Sequence, residues 1–273
     1  MSIKLSDAIK VDQRHSLLLT GQTPRGSEFA EMAFLMRFCT LVVNVLCLPL
    51  HLMESVGLYQ IYKRVFPILL YRFSKSYNKK MHDKKTELFR SLSEFKKAGK
   101  QLTLLEIGCG TGTNFKYYPP GCRVICADPN PSFQSYLKLS MTENEQLTYE
   151  RFMVASGEDM GSVEDESVDV VVCTLVLCSV KDIPQTLREI HRILRPGGAF
   201  FFMEHVVANP STWTHFLQHV LQPAWYYFAD GCQAIRDTRK DLESAWFSDL
   251  KLSHVDAPLL FLIKRHIMGY AVK

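Results

Sequence analysis

The run Glu106-Ile107-Gly108-Cys109-Gly110-Thr111-Gly112 sets three glycines at alternate positions behind an acidic residue. Glycine accepts positive φ and lets a ligand touch bare backbone. Where a strand gives way to a helix, such a loop turns N–H groups toward a nucleotide-like ligand. Other acids fall where that ligand would need them. Asp128 lies roughly twenty residues beyond Glu106, the offset at which a carboxylate accepts ribose hydroxyls. Glu158 or Asp159, in Gly157-Glu158-Asp159-Met160, can accept the exocyclic amine of an adenine. His205 ends an apolar run and titrates near neutral pH, which suits proton transfer; a hydrogen-bonded structural histidine fits the same position.

These residues need a parallel sheet to bring them to one edge. From Thr103 the sequence alternates short apolar runs with amphipathic stretches, the pattern of an α/β fold with helices on both faces of the sheet. The expected strands are 103–107, 123–127, 149–154, 168–177 and 199–203, with a helix over 183–194 and a turn at Arg195-Pro196-Gly197-Gly198. Ahead of them, 78–97 reads as an amphipathic helix. Met81, Leu88, Leu92 and Phe95 form its apolar face, with the lysines opposite.

The first third of the chain differs in character. Residues 1–31 read as a polar extension, 32–74 as an apolar and basic anchor, and 75–273 as the α/β domain. Phe38 to Met53 carries no charge, is interrupted by Pro49, and is shorter than the roughly 20 residues a spanning helix needs. Lys63, Arg64, Arg72, Lys75, Lys79, Lys80, Lys84 and Lys85 follow against Asp83 alone. An apolar segment beside a basic cluster fits an anchor in one leaflet facing anionic lipid. A spanning helix extended back to Met32 and a buried core helix are the competing readings. The eight cysteines include no C-x-x-C pair and fall mostly in apolar runs, so they read as reduced thiols on the cytosolic side. No metal is expected: His215 and His219 are four apart on a helix, but no third ligand accompanies them.

The glycine spacing decides the ligand class. A dinucleotide site needs G-x-G-x-x-G to seat a pyrophosphate, and here the third glycine comes one residue early. An adenosine ligand without phosphates fits better, and S-adenosylmethionine is one.

The same residues resemble the class I S-adenosylmethionine-dependent methyltransferases, through Glu106 to Gly112, Asp128, Gly157-Glu158-Asp159 and Leu194-Arg195-Pro196-Gly197-Gly198. Narrower features are Tyr118-Pro119-Pro120-Gly121, Asp128-Pro129-Asn130-Pro131, the run Val170 to Val180, Glu204-His205-Val206, Asp230-Gly231-Cys232 and His266-Ile267-Met268-Gly269. These resemble the methyltransferase-like 7 group, alkyl thiol S-methyltransferases of endoplasmic reticulum and lipid droplets.

The resemblance implies a Rossmann-like, seven-stranded, mostly parallel sheet with an N-terminal membrane-anchoring helix. It implies a small-molecule thiol substrate, and a membrane or lipid-droplet surface engaged through residues 32–74. Gly108, Gly110 and Gly112 would cradle the cofactor. Glu106 would bind its methionine amine, Asp128 its ribose, and Glu158 or Asp159 its adenine. Thr174 and Leu175 would lie near the methyl group, with Thr174 and His205 on the catalytic side. Trp225-Tyr226-Tyr227-Phe228 would line the acceptor pocket or pack in the core.

Two other readings compete: an RNA adenine methyltransferase, and a lipid-droplet protein of weak catalysis. A base methyltransferase carries an Asn/Asp-Pro-Pro-aromatic loop after its fourth strand, where this chain has Thr174-Leu175-Val176-Leu177. That sequence argues against nucleic acid.

Overall fold

The computed structural model describes residues 25–259 and 261–273, with side chains from residue 30 onward. The expected extension therefore falls mostly outside the described residues; its last turns belong to helix α1, Arg25–Leu46. After a break at Cys47, α2 (Leu48–Ser55) starts with Pro49 in its first turn. Proline is tolerated there because the N–H it lacks has no helical partner. The two helices meet at 50° and together are apolar enough for a broken span, whereas no single described helix is long and apolar enough to cross a membrane. Phe34, Leu41, Leu46, Leu52 and Val56 are each at least 60% exposed along this pair.

α3 (Tyr59–Lys80) runs without interruption through residue 74, where the sequence placed a domain boundary. The expected helix over 78–97 is broken. α3 ends at Met81, α4 spans His82–Phe89, and a 3₁₀ turn covers Leu92–Phe95. The apolar face is in the core as expected, with Met81, Leu88 and Leu92 buried. The lysine face is not all outward, because Lys85 is buried at 1% exposure.

The sheet has the order β3-β2-β1-β4-β5-β7-β6, formed by β1 Thr103–Ile107, β2 Arg123–Ala127, β3 Thr148–Met153, β4 Val168–Thr174, β5 Leu194–His205, β6 Asp249–Asp256 and β7 Arg265–Val272. β7 runs antiparallel to both its neighbours, β5 and β6. Four more α-helices follow α4 among the described residues: α5 Gln134–Thr142, α6 Ile183–Ile193, α7 Trp213–Phe228 and α8 Thr238–Ser244. Side chains alternate between the two faces, as strand geometry requires. Leu104, Val124, Val170, Val172 and Phe201 face α4 and its neighbours, while Leu105, Ile125, Val171, Phe200 and Phe202 face α6. Burying each such side chain contributes about 1.5–3 kcal/mol.

Two strand ends differ from the expectation. β4 stops at Thr174 although the apolar run continues to Leu177, because Leu175 takes φ +59°. The turn is held from β5: the buried Glu204 carboxylate accepts the N–H groups of Val176 and Leu177 at 3.0 and 3.2 Å. β5 starts five residues earlier than expected, absorbing the Arg-Pro-Gly-Gly turn as an irregularity opposite Val168 and Val170. Gly198 is required there, since a Cβ would lie 2.8 Å from the Asp169 carbonyl oxygen. The acid inside β4 is accounted for by the same corner. Asp169 accepts the Thr103 N–H at 2.8 Å and pairs with Arg195.

Candidate active site at the β1/β4 edge

Strand order reverses between β1 and β4, and ligands of open α/β sheets bind at the carboxyl ends of strands flanking such a point. β1 delivers Glu106 there, fully enclosed. It accepts the Tyr118 hydroxyl at 2.7 Å and the Asn114 amide N–H at 2.8 Å. Burial pushes its carboxyl up to about 7, against the pull of those donors and of Lys85. The same Asn114 amide nitrogen donates to Thr174 Oγ1 at 2.9 Å, joining the ends of β1 and β4. Behind it, Lys85 Nζ donates to the side-chain oxygens of Asn114 (2.8 Å) and Asn78 (2.6 Å). Burial holds this amine down at about 7.

Gly108, Gly110 and Gly112 all have positive φ, at 60°, 50° and 72°. A Cβ on Gly108 would lie 2.2 Å from Val176 Cγ2, so the β4 turn packs on bare backbone. Leu70 of α3 sits over Gly110, 3.5 Å from where a Cβ would be. Asp128, at the end of β2, accepts the Gly110 N–H at 3.0 Å and the Asn130 N–H at 2.9 Å. Burial raises it to about 6. Thr111 Oγ1 in the same loop is buried with no protein partner. This combination of left-handed glycines, two buried carboxylates and an unpartnered hydroxyl fits an amine- and ribose-bearing ligand. A cleft of about 670 Å³ opens beside the loop, walled by Tyr71, Lys75, Asn78, Thr113, Lys116 and Ser140; Glu106 and Asp128 are not among its walls.

The structure brings Glu106, the three glycines, Asp128, Thr174 and Leu175 to one edge. It places Glu158 and Asp159 differently. The Glu158 carboxylate accepts the Lys181 N–H ahead of α6, and exposed Asp159 accepts the Gly161 N–H at 3.3 Å within its own turn. His205, at the end of β5, is buried with Nε2 3.0 Å from Cys232 Sγ and Nδ1 unpartnered. The aromatic segment divides. Trp225 donates its indole N–H to Cys232 Sγ at 3.2 Å, Tyr227 bonds to Glu54 of α2 at 2.9 Å, and Phe228 is exposed. His215 and His219 lie one turn apart on α7 with their Nε2 atoms 3.2 Å from each other.

Sequence reasoning missed the Lys85–Asn114–Tyr118 frame around Glu106. Asn114 and Tyr118 stood in the sequence as family-like residues after the loop with no role attached, and nothing in Lys85 distinguishes it from the lysines around it. The gathering of Cys178 and Cys232 around His205 was missed as well, since the three come from the end of β5 and two separate connections.

A methyltransferase domain family matches residues 105–202, the stretch from β1 to β5. Thiol S-methyltransferase TMT1A of Homo sapiens is 57% identical over 223 residues, which cover 81% of this chain and 91% of that protein. The chain belongs to the thiol S-methyltransferase family. A second member, thiol S-methyltransferase TMT1B of Homo sapiens, is 49% identical over 244 residues, 89% of this chain and all of that protein. Among solved structures, a methyltransferase from Thermotoga maritima, described as a possible histamine N-methyltransferase, superposes with a TM-score of 0.54. It is 13% identical and covers 79% of this chain and 99% of that one. At that distance the likeness is one of fold. Within the thiol S-methyltransferase family, then, the site just described lies where the domain match and the sheet's switch point coincide.

Proposed function

We propose that this protein is an S-adenosylmethionine-dependent thiol S-methyltransferase acting on small alkyl thiols at a membrane surface. The observation that carries the donor is the single edge on which Glu106, the left-handed glycines and Asp128 meet. The acceptor class rests on the thiol S-methyltransferase relatives at 57% and 49% identity.

Bound there, S-adenosylmethionine supplies a methyl group made electrophilic by a sulfonium centre. Glu106 holds the donor's amine by charge, with Tyr118 and Asn114 fixing the carboxylate's two oxygens. Asp128 takes the ribose hydroxyls, its own orientation set by the Gly110 and Asn130 N–H groups. The adenine falls to exposed Asp159 in the turn after β3, the Glu158 carboxylate being taken up by the Lys181 N–H. Thr174 and Leu175, fixed through Asn114 and Glu204, form the wall at the reacting end. The nucleophile is a thiolate, and an unperturbed thiol has a pKa of about 8.5, so positioning and exclusion of water matter more than a strong base.

α1 and α2 form the membrane-facing element. Their apolar side chains are exposed, and the basic face of α3 follows at the level of lipid headgroups. The kinked pair supports a monotopic anchor at the endoplasmic reticulum or lipid-droplet surface, with the catalytic domain in the cytosol.

The test is transfer of a labelled methyl group to a panel of small alkyl thiols, with single-stranded RNA as the competing acceptor. Labelled thioether supports the reading. Labelled RNA without thioether would replace it with the nucleic-acid one.

A further inference from the structure

Cys178 lies in the connection after β4, His205 ends β5, and Cys232 lies in the connection after α7. Their ligating atoms, two Sγ and one imidazole nitrogen, all fall within 4.8 Å of one another, and all three residues are buried. A tetrahedral zinc ion, with Zn–S of about 2.3 Å and Zn–N of about 2.0–2.1 Å, separates its ligand atoms by roughly 3.5–3.8 Å. His205 Nε2 and Cys232 Sγ, 3.0 Å apart, stand at hydrogen-bond distance and would separate by about half an ångström to share an ion. The Trp225 indole N–H donates to Cys232 Sγ at 3.2 Å. His205 Nδ1 is buried and has no protein partner. With Nε2 on a metal, Nδ1 carries the proton of the neutral imidazole. The connections are fixed by backbone: the Gln233 N–H donates to the Cys178 carbonyl at 2.9 Å, and the Gly231 N–H to the Tyr226 carbonyl at 2.8 Å.

We propose that Cys178, His205 and Cys232 form a zinc site whose fourth position takes the sulfur of the substrate thiol. Two thiolates and an imidazole are a soft, zinc-selecting ligand set, and three protein ligands are the number that leaves one position open for water or substrate. The inference rests on the thiol reading above for the identity of that fourth ligand. On coordination the thiol gives its proton to solvent, since a metal-bound thiol is deprotonated. A lone pair of the bound sulfur then forms the new C–S bond. The sulfonium C–S bond breaks, and its electron pair stays on the sulfur of the departing adenosylhomocysteine. The product thioether is neutral and releases the metal. His205 then serves as a ligand and does not accept the proton.

The experiment uses the full chain purified without chelator, with metal content measured by plasma mass spectrometry and cobalt(II) added to metal-depleted protein. The expected results are about one zinc per chain and cobalt–thiolate charge-transfer absorption. Cys232→Ser should lower zinc affinity at least ~10-fold and thiol methylation correspondingly, while S-adenosylmethionine affinity by calorimetry stays within about twofold. Because a serine variant can disturb folding, the wild-type cobalt spectrum is a second reading, and it should shift when a small thiol is added. Full thiol methylation by protein free of metal would overturn the proposal and leave the thiol reading standing. A Cys178–Cys232 disulfide in protein purified under reducing conditions would overturn it as well. Bound zinc without methylation of any thiol would keep the metal site and remove its assigned substrate.

Discussion

Replacing Glu106 by glutamine separates charge from shape at the end of β1. The glutamine oxygen can still accept from Asn114, and its amide can donate to the Tyr118 oxygen, so both contacts at 2.7–2.8 Å can be kept with the Tyr118 hydroxyl accepting instead of donating. What is lost is the negative charge facing the donor's amine. A hydrogen bond to a charged group contributes about 1.5–3 kcal/mol, which is roughly a 10- to 150-fold change in affinity. The buried carboxyl sits at about 7, so that advantage is present in full only above neutrality. Near pH 5.5 only a few per cent of it is ionised, and the cost of ionising it offsets most of the gain. Calorimetry with S-adenosylmethionine should therefore show wild type binding tens of times tighter than Glu106→Gln at pH 8, with the ratio falling towards one at pH 5.5. Folding stability should move the other way. A carboxyl raised by burial costs stability as pH rises from its unfolded value to about 7, so the variant should be the more stable protein at pH 8 by on the order of 3 kcal/mol, and unchanged at pH 4. An affinity ratio independent of pH would refute the assignment of charge to Glu106.

Three further outcomes follow from other contacts. Gly108→Ala places a Cβ 2.2 Å from Val176 in a left-handed conformation, and should lose donor binding while lowering stability by about 1–3 kcal/mol in denaturant unfolding. Lys85 is lowered to about 7 in the fold, so the unfolded chain binds the extra proton and stability should rise from pH 7 towards pH 10; Lys85→Met should flatten that limb in pH-resolved melts. Changing Phe34, Leu41 and Leu52 together to glutamine removes three exposed apolar side chains, each contributing about 1.5–3 kcal/mol if buried in lipid, and should cut vesicle flotation more than 10-fold. Unchanged flotation would remove the anchor from the account.

The central strands were legible because their signals are local. An apolar run ending in glycine or aspartate announces β1 and β2 without outside help, and the early third glycine separated adenosine from dinucleotide. The misplaced ends have distant causes. β4 ends at Thr174 because a carboxylate on β5 captures the next N–H groups, and no pattern within Val168 to Leu177 encodes Glu204. Lys85 looked like a solvated lysine because its acceptors, Asn78 and Asn114, meet it only in three dimensions. The Cys178–His205–Cys232 group has no spacing signature for the same reason: a strand end and two separate connections converge there. Glu158 and Asp159 were found by motif, yet their carboxylates bond to backbone N–H groups nearby, which the motif does not specify.

The most direct measurement is the yield of products from S-adenosylmethionine and a small alkyl thiol, made with wild type and with Asp128→Ala of unchanged circular dichroism. Thioether and adenosylhomocysteine should form one for one with wild type, and both should vanish with the variant. Thioether formed equally by Asp128→Ala, or adenosylhomocysteine formed without thioether across the thiol panel, would contradict the account.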